Sequence, residues 1–542
     1  MRNSAVYVTD TTPEPVAIKG FHAVIVNVQT ETRVPARRLN ILLIMADQMS
    51  PMALPSYGHP LVQTPHISAL ANSGMVFDNA YCNSPLCSPS RAAFMSGRLP
   101  SKTQAYDNAA EFRADIPTFA HYLRHAGYRT SLVGKMHFCG PDQMHGFEER
   151  LTTDIYPADY GWTPDWSRPK HRPHWYHNMS SVTDAGLCVR TNQLDYDDEV
   201  TFAAERAIYD AARGRDARPF AMVVSLTHPH DPFAIPAHYW DKYRDADIPL
   251  PRVGLNDWRM DPHSRRLWDV CDMGAQEITE QQVRDARHAY YGAISYVDDN
   301  VGRLMAALRA TKLDEDTLVI VTSDHGEMLG ERGLWYKMSF FEGASRVPLI
   351  VSAPKHFAPR RVANAVSLID LLPTLAELAH DGKAPDYPSD IDGRSLLPHL
   401  THGGGHDEVI GEYLAEGAIA PLVMLRQGPW KFIHSPVDPD QLYKLDDDPD
   451  ELTNLANGDA HAGTLAEFQR QAGQRWDLDA LDRDVRESQR RRLLVSDALG
   501  IGAQTAWDFQ PFRDAATQYI RNRADLDDLE ASARFPRVRP IA

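Results

Sequence analysis

The sequence predicts an α/β protein in which a large mixed, mostly parallel β-sheet lies between layers of helices. Continuous apolar runs bounded by polar residues are typical of strands that are buried on both faces of a parallel sheet. Between these runs, apolar residues recur near the helical period, as expected for helices that cover such a sheet. The predicted strands are residues 39–45, 220–226, 317–323 and 348–351, and the clearest predicted helices are residues 116–126 and 286–310.

Beyond about residue 395 the pattern changes to short apolar runs separated by glycine, proline and aspartate. Such runs predict a smaller antiparallel sheet, followed by a charged helical segment and a proline-rich extended tail. The predicted strands are residues 422–426, 430–434 and 441–445, the helical segment is 462–499, and the tail is 535–540. We therefore predict a flexible N-terminal extension (1–38), a catalytic domain (39–395) and a C-terminal subdomain that ends in the tail (396–542).

Composition narrows the classes of function. The chain has 542 residues, more than a single hydrophobic core normally serves. Its net charge of −17 disfavours a nucleic-acid-binding protein, because such proteins present a basic surface. Five cysteines in so long a chain do not resemble a disulfide framework and favour a reducing compartment. The sequence shows neither an apolar run of the ~20 residues that a bilayer span needs nor a secretory pattern, so we expect a cytoplasmic protein without a membrane partner.

Polar residues with catalytic chemistry follow three of the predicted buried strands. Asp47 and Gln48 follow the first strand, His228 follows the second, and Asp324 and His325 follow the third. In open α/β sheets functional residues gather at the carboxyl ends of the strands, so these positions predict one shared site. Carboxylate and amide oxygens, together with an imidazole nitrogen, indicate a divalent cation.

A cysteine stands in the most informative segment, residues 85–91 (PLCSPSR), which continues to Gly97 and Arg98. A neighbouring cation lowers the pKa of a thiol, so Cys87 has the setting of a nucleophile. The alternative is a buried thiol that packs as a small hydrophobe. The whole segment resembles the signature of the sulfatase family. That resemblance implies that a maturation enzyme oxidises Cys87 to formylglycine, whose hydrated aldehyde is the nucleophile.

The sulfatase resemblance extends to the rest of the site and implies an alkaline-phosphatase-like fold. It implies that one divalent cation, calcium or manganese, is held by the two strand-end pairs, Asp47 with Gln48 and Asp324 with His325, and by an oxygen of oxidised Cys87. Residues 127–137 match the family's second motif, in which we expect Lys135 and His137 to alternate along an extended strand and face one cleft. An ordinary surface position is the alternative for each of these two residues.

Roles for the remaining candidates also follow from the resemblance. It implies that Arg91, Lys135 and Lys337 bind the sulfate oxygens and that Arg91 steadies the nucleophile. Within residues 227–232, His228 is expected to protonate the departing alcohol together with Lys337, whereas His230 is expected to orient a neighbour. His137 is expected to help residue 87 expel sulfate.

Further segments resemble the choline-sulfatase subgroup of the family, namely residues 105–108, 154–166, 330–342 and 535–538. The resemblance runs from about residue 39 to the end and implies hydrolysis of choline-O-sulfate to choline and inorganic sulfate. A quaternary ammonium has no hydrogen-bond donor and is recognised by aromatic faces and carboxylates. We therefore expect Trp162 and Glu416 to bind the cation and Asn108 to lie near the ester. A loop anchor and a surface acid are the alternatives for Trp162 and Glu416.

In that subgroup the C-terminal tail packs against a neighbouring subunit, which implies a homo-oligomer, expected to be a tetramer. Asp525 or Asp527 then supplies a further carboxylate to the neighbour's pocket. Three other functions stay open on the sequence: a phosphonate monoester or phosphodiester hydrolase or an arylsulfatase of the same superfamily, a catalytically silent choline-type binding protein, and a thiol hydrolase that uses unmodified Cys87.

Overall fold

A mixed eight-stranded sheet forms the centre of this protein, for which we use a computed structural model. The structure describes residues 38–536 except 171, 173–176, 215, 402, 504 and 522–524, so the predicted extension lies outside the described residues apart from Arg38. The strands in chain order are β1 (Asn40–Asp47), β2 (Met75–Tyr81), β3 (Arg129–Gly134), β4 (Glu149–Arg150), β5 (Gly186–Cys188), β6 (Phe220–Pro229), β7 (Ala234–Pro236), β8 (Thr317–Ser323), β9 (Arg346–Ser352), β10 (Arg360–Ser367), β11 (Glu408–Tyr413), β12 (Leu422–Gln427), β13 (Trp430–Ser435) and β14 (Asp438–Lys444).

The eight strands of the central sheet follow the order β10-β2-β9-β8-β1-β6-β3-β4. Neighbouring strands are parallel except where β9 pairs with β2 and with β8. The predicted mixed, mostly parallel sheet is therefore confirmed, and the four apolar runs correspond to β1, β6, β8 and β9. The sequence does not predict β2 or β10, because polar residues interrupt their apolar runs.

Helices cover both faces of this sheet. They are α1 (Pro65–Ser73), α2 (Cys87–Ser96), α3 (Pro100–Thr103), α4 (Phe119–His125), α5 (Ser180–Thr183), α6 (Asn192–Arg213), α7 (Ala237–Trp240), α8 (Pro262–Val270), α9 (Glu280–Thr311), α10 (Glu342–Ser345), α11 (Leu371–Ala379), α12 (Leu397–Thr401), α13 (Ala462–Arg475), α14 (Leu478–Leu499) and α15 (Leu526–Ala533). Alternate residues of β1 face opposite layers: Leu42 and Ile44 pack with α6 and α9, whereas Leu43 and Met45 pack with α2, α4 and α11.

A second, antiparallel sheet contains β11-β12-β13-β14 in sequence order. Its apolar face packs on α13 through Phe432, Leu442 and Phe468. The smaller C-terminal antiparallel sheet is thus confirmed, although β11, which contains Gly411 and Glu412, is not apparent in the sequence. Residues from Leu39 onward form one compact unit. Within the described residues, no helix combines the length and the apolarity needed to cross a bilayer.

The carboxyl ends of the three central strands, β8, β1 and β6, lie side by side. Ala46 of β1 is opposite both Ser323 of β8 and Leu226 of β6. The next pairing on β6 joins Asp47 to Pro229, so two residues of β6 bulge out of register at this edge. Helix α2 begins at Cys87. Its first turn is held at the same edge of the sheet, since Ser90 Oγ donates a hydrogen bond to the Asp324 carbonyl at 2.5 Å. The fold therefore gathers the strand-end residues and the cysteine.

Candidate active site

A buried cluster of potential metal ligands occupies the carboxyl edge of the sheet. The ligand atoms of Asp47, Cys87, Asp324 and His325 all lie within 4.8 Å of one another. Asp47 and Asp324 are 44 and 233 residues from Arg91 in the chain, yet both carboxylates bind its guanidinium. The predicted shared site at the strand ends is therefore present in the structure.

Arg91 is fully buried and all of its hydrogen bonds go to protein groups. Nε donates to Asp324 at 2.8 Å and Nη2 donates to Asp47 at 3.0 Å. Nη1 donates to the Lys135 carbonyl at 2.5 Å and to Ser225 Oγ at 2.9 Å. Nε and one N–H group of Nη2 are committed to the two carboxylates, so a contact between Arg91 and a sulfate oxygen stays a prediction. Arg91 fixes the positions of both carboxylates.

Cys87 is the first helical residue of α2, so its side chain lies where the backbone N–H groups of a helix favour negative charge. Its Sγ is 3.2 Å from His325 Nε2 and 3.7 Å from Lys135 Nζ. The Lys135 ammonium also forms an ion pair with Asp47. Asn108 accepts a hydrogen bond from the backbone N–H of Ser88 at 2.9 Å, which fixes the start of α2.

His137 lies beside this cluster but not on a strand, which corrects the predicted extended geometry. Strand β3 ends at Gly134, and His137 has a left-handed φ of 55°. Its ring packs against Tyr156 and Trp162, with centroid distances of 5.0 and 5.5 Å. Neither ring nitrogen makes a hydrogen bond to a described residue, although both are buried. Burial lowers the pKa of His137, and the adjacent Cys87 side chain partly offsets this, so the imidazole is neutral and lies where it can accept a proton from residue 87.

Lys337, Gln48 and His230 form a third group. Lys337 Nζ donates to Gln48 Oε1 at 2.6 Å and lies 2.9 Å from His230 Nε2. The other ring nitrogen of His230 is 2.7 Å from the Asp231 carbonyl, so we assign the proton to Nδ1 and let Nε2 accept from Lys337. The Gln48 amide NH₂ contacts Glu327 and lies 3.4 Å from Asp231 Oδ1.

The prediction that His228 belongs to this site is wrong, because the side chain points elsewhere. His228 Nδ1 is 2.7 Å from Asp197 of α6, and its ring packs edge-on against Tyr296 of α9 at 4.9 Å. His230, which the sequence analysis treats as an orienting residue, lies beside Lys337 instead. His228 lies within the two-residue bulge of β6, where the regular pairing with β1 is interrupted, whereas His230 follows the bulge.

A cavity of about 240 Å³ opens beside Cys87. Three residues predicted to bind substrate line it: Asn108, Trp162 and Glu416. Asp525 and Asp527 do not line it, and both are exposed at the start of α15, where Asp525 caps the helix. The remaining lining residues are Tyr156, His177, Asn178, Ser180, Ser181, Gln193, His230, Asp231, Pro232 and Lys337.

Comparison with known proteins agrees with this arrangement. Residues 39–381 match the profile described as "Sulfatase", and residues 483–535 match "Choline sulfatase enzyme C terminal". The chain belongs to the sulfatase family. A further profile, "N-sulphoglucosamine sulphohydrolase, C-terminal", matches residues 330–475 of this sulfatase.

Individual relatives cover most of this sulfatase. The Choline-sulfatase of Rhizobium meliloti (strain 1021) is 48% identical over 506 residues, which span 92% of this chain and 98% of the relative. Arylsulfatase K of Xenopus laevis is 30% identical over 77% of this chain and 79% of its own. The crystal structure of a phosphonate monoester hydrolase of Agrobacterium radiobacter superposes with a TM-score of 0.65 at 26% identity, covering 82% of this chain and 96% of that one. The predicted sulfatase membership and alkaline-phosphatase-like fold are thus confirmed.

Burial and charge set the protonation states in the sulfatase site. Burial raises the pKa of Asp47, but the cations Lys135 and Arg91 outweigh burial and hold this pKa well below its ordinary value. Burial lowers the pKa of His325 despite the adjacent Asp324 carboxylate. Burial, reinforced by the Lys337 cation, holds the pKa of His230 well below its ordinary value. Asp47 is therefore ionised near neutral pH, whereas both imidazoles are neutral.

These protonation states fit a hard divalent cation. Asp47 and Asp324 offer anionic oxygens, and neutral His325 offers a nitrogen, in one buried cluster. Membership of the sulfatase family also implies formylglycine at residue 87, which would add an oxygen to this set. Gln48 adjoins the cluster through its backbone N–H, 3.1 Å from Asp324 Oδ1, while its side-chain oxygen accepts from Lys337.

The site contains four further residues, of which Tyr156 lies in a segment that the sequence singles out, residues 154–166. Tyr156 lies under the Lys135 ammonium, with 4.3 Å from Nζ to the ring centroid. His177 and Asp231 line the cavity with His230. Glu327 binds the Gln48 amide, and burial, with Asp231 nearby, raises the pKa of Glu327 to about 7. Asp231 directly follows His230, and Glu327 stands two residues after the predicted site residue His325; this proximity in the sequence is the signal that could point to them.

Proposed function

We propose that this protein hydrolyses choline-O-sulfate to choline and inorganic sulfate. The observation that supports this substrate is the cavity beside Cys87, because its wall combines an aromatic ring, Trp162, with a buried carboxylate, Glu416. An aromatic face and a carboxylate are what a quaternary ammonium requires. The Choline-sulfatase of Rhizobium meliloti, 48% identical to this chain, supports the same substrate.

The sulfate end of the substrate faces Cys87. Oxidised to formylglycine by a maturation enzyme and hydrated, residue 87 supplies one hydroxyl group that attacks sulfur and a second that allows sulfate to leave. Lys135 Nζ, 3.7 Å from Cys87 Sγ, binds a non-bridging sulfate oxygen as negative charge develops there. Neutral His137, which lies beside residue 87, takes the proton of the remaining hydroxyl group.

Lys337 protonates the departing choline oxygen in this proposal. An ammonium group has three N–H donors, and two of them are used by Gln48 and His230. The third is free to donate to the leaving group, and His230 fixes the direction in which it points. General-acid assistance of this kind contributes typically ~10²–10⁴-fold to the rate. His230 thus takes the place that the sequence analysis gave to His228.

We also propose that Asp47, Gln48, Asp324 and His325 hold one divalent cation, calcium or manganese, with an oxygen of oxidised residue 87. The cation would neutralise sulfate oxygens and favour the anionic form of residue 87. Carboxylate oxygens suit both ions, and the His325 nitrogen is compatible with manganese. Gln48 becomes a ligand only if its amide oxygen is shared with Lys337.

We propose further that the protein is a cytoplasmic homo-oligomer, expected to be a tetramer, whose tail approaches a neighbour's pocket. The segment from α14 to α15 supports this proposal, because large apolar side chains are exposed along it: Leu494, Ile501, Phe512, Tyr519, Ile520 and Leu526. Apolar exposure of this extent is typical of an interaction surface. In the oligomer, Asp525 or Asp527 would add a carboxylate to the neighbour's pocket. Light scattering at several concentrations tests the assembly, and a monomer at all of them contradicts it.

The substrate proposal is tested by comparing kcat/KM for choline-O-sulfate, an aryl sulfate and a phenyl phosphonate ester. We expect choline-O-sulfate to be preferred, because it alone carries a quaternary ammonium. A preference for the phosphonate ester would replace the proposed function with that of a phosphonate monoester hydrolase, the activity named for the Agrobacterium structure. A preference for the aryl sulfate would indicate an arylsulfatase.

A further inference from the structure

Helix α14, in the C-terminal part of the chain, has two polar residues on its buried face. Its buried residues are Leu481, Val485, Gln489 and Arg492, which follow one another at helical spacing on one face. Gln489 and Arg492 are 2% and 6% exposed. Burying an arginine costs free energy unless its charge is paired and its N–H donors are satisfied, so Arg492 must have such partners.

Arg492 joins two segments that are remote from it in the chain. Its guanidinium binds both carboxylate oxygens of Asp107, with Nη1 and Nη2 at 2.7 and 2.6 Å. Nη1 also donates to Thr163 Oγ1 at 3.0 Å. Because a bidentate guanidinium–carboxylate pair has a fixed geometry, it holds the Asp107 and Thr163 segments in one relative position.

Gln489 adds a third segment to the same framework. Its side-chain oxygen accepts a hydrogen bond from the Trp166 backbone N–H at 2.9 Å. The indole of Trp166 in turn donates to the Ala415 carbonyl at 2.9 Å. Helix α14 therefore connects, directly or through one side chain, to Asp107, Thr163 and Ala415.

Each of these anchor positions stands next to a residue that lines the catalytic cavity. Asn108 follows Asp107, Trp162 precedes Thr163, and Glu416 follows Ala415. Neither Arg492 nor Gln489 lines the cavity. Asp107 also acts on Glu416 electrostatically, because its negative charge helps burial to raise the pKa of Glu416. Arg492 compensates that charge.

We propose that Arg492 is a positioning residue that sets the preference of this enzyme for a cationic alcohol. The Arg492–Asp107 pair holds Trp162 and Glu416 where a quaternary ammonium can contact both, and it offsets the Asp107 charge that opposes ionisation of Glu416. The sulfate end depends on Asp47, Asp324 and Lys135, which form ion pairs with one another and with Arg91. Arg492 reaches that end only indirectly, through Asn108, which follows Asp107 and accepts the Ser88 N–H at the start of α2. This inference rests on the proposed function.

The test compares choline-O-sulfate with 3,3-dimethylbutyl sulfate, an ester of the same shape in which carbon replaces the quaternary nitrogen. For Arg492→Gln we expect kcat/KM for choline-O-sulfate to fall ~10–100-fold, mainly through KM, as is typical when a buried charge pair loses one partner. The kcat/KM for 3,3-dimethylbutyl sulfate, the neutral ester, should change less than ~3-fold. Arg491→Gln is the matched control, since the Arg491 side chain is 62% exposed and pairs with Glu487 on the outer face.

A second variant keeps the test decisive if Arg492→Gln folds poorly. Arg492→Gln/Asp107→Asn removes the uncompensated carboxylate, and we expect it to restore the melting temperature and part of the cation preference. Equal losses on both esters in a folded variant, or no loss on either, would overturn the inference. If the wild-type enzyme does not prefer choline-O-sulfate at all, the proposed function fails instead, so the two failures are distinguishable.

Discussion

Replacing Glu416 with glutamine tests whether a buried carboxylate recognises the quaternary ammonium. Glu416 is 7% exposed, and burial together with the nearby Asp107 charge raises the pKa of Glu416 to about 8. A carboxyl group is neutral below its pKa and ionised above it, and only the ionised form attracts a cation. The kcat/KM for choline-O-sulfate should therefore increase as the pH rises through this pKa.

The size of the increase follows from the pKa. A group with a pKa of about 8 is ~one-tenth ionised at pH 7 and ~nine-tenths ionised at pH 9. Because kcat/KM reports ionisations of the free enzyme, the gain for choline-O-sulfate should be ~10-fold over this range. Dividing by kcat/KM for 3,3-dimethylbutyl sulfate removes the titration of groups that act on the sulfate or on the departing oxygen, which both esters share.

Initial rates of sulfate release from both esters between pH ~6 and ~9 provide this ratio. In Glu416→Gln we expect the ratio to be flat with pH and ~10–100-fold lower at pH 9, the usual loss for a charge-assisted contact. Glu467→Gln, which changes an exposed residue of α13, should behave as wild type. A wild-type ratio that does not vary with pH, or a rise that persists in Glu416→Gln, refutes the assignment.

Three further outcomes follow from the site geometry. Cys87→Ala should lower turnover ~10³-fold or more while leaving the melting temperature unchanged, and turnover near the wild-type rate would exclude residue 87 as nucleophile. Asp324→Asn should reduce the divalent metal bound per chain, measured by elemental analysis, because it removes one anionic ligand; an unchanged metal content would move the metal site elsewhere. His230→Gln should lower kcat for choline-O-sulfate more than for an aryl sulfate, because the better leaving group of the aryl ester needs less protonation. His228→Gln should mainly lower the melting temperature, because it breaks the pair between His228 and Asp197. The reverse pattern would restore the role first expected for His228.

Sequence patterns predict the centre of this fold because the central strands are apolar on both faces. The runs that become β1 and β8 have no other stable location, and their polar ends necessarily share one edge of the sheet. Strands β2 and β10 contain polar residues, and only pairing with distant strands makes them regular. The pattern of apolar residues therefore predicts the strands that hold the site but not β2 and β10, which extend the sheet beyond β9.

The errors in the site have an equally local cause. His228 lies in a two-residue bulge at the end of β6 and pairs with Asp197, whereas His230 lies beside Lys337, and no sequence pattern marks that bulge. Arg91 stands one turn after Cys87, which predicts a nearby cation but not its partners, since Asp324 is 233 residues away. The Arg492–Asp107 pair spans 385 residues and is visible only once the chain is folded.

The most direct test is to measure the chemical state of residue 87 and turnover of choline-O-sulfate in the same samples. The protein would be produced with and without a formylglycine-generating enzyme, and peptide mass analysis would give the fraction of residue 87 converted from cysteine to formylglycine. We predict that kcat for choline-O-sulfate is proportional to that fraction. Full turnover by protein that retains unmodified Cys87 would contradict the account.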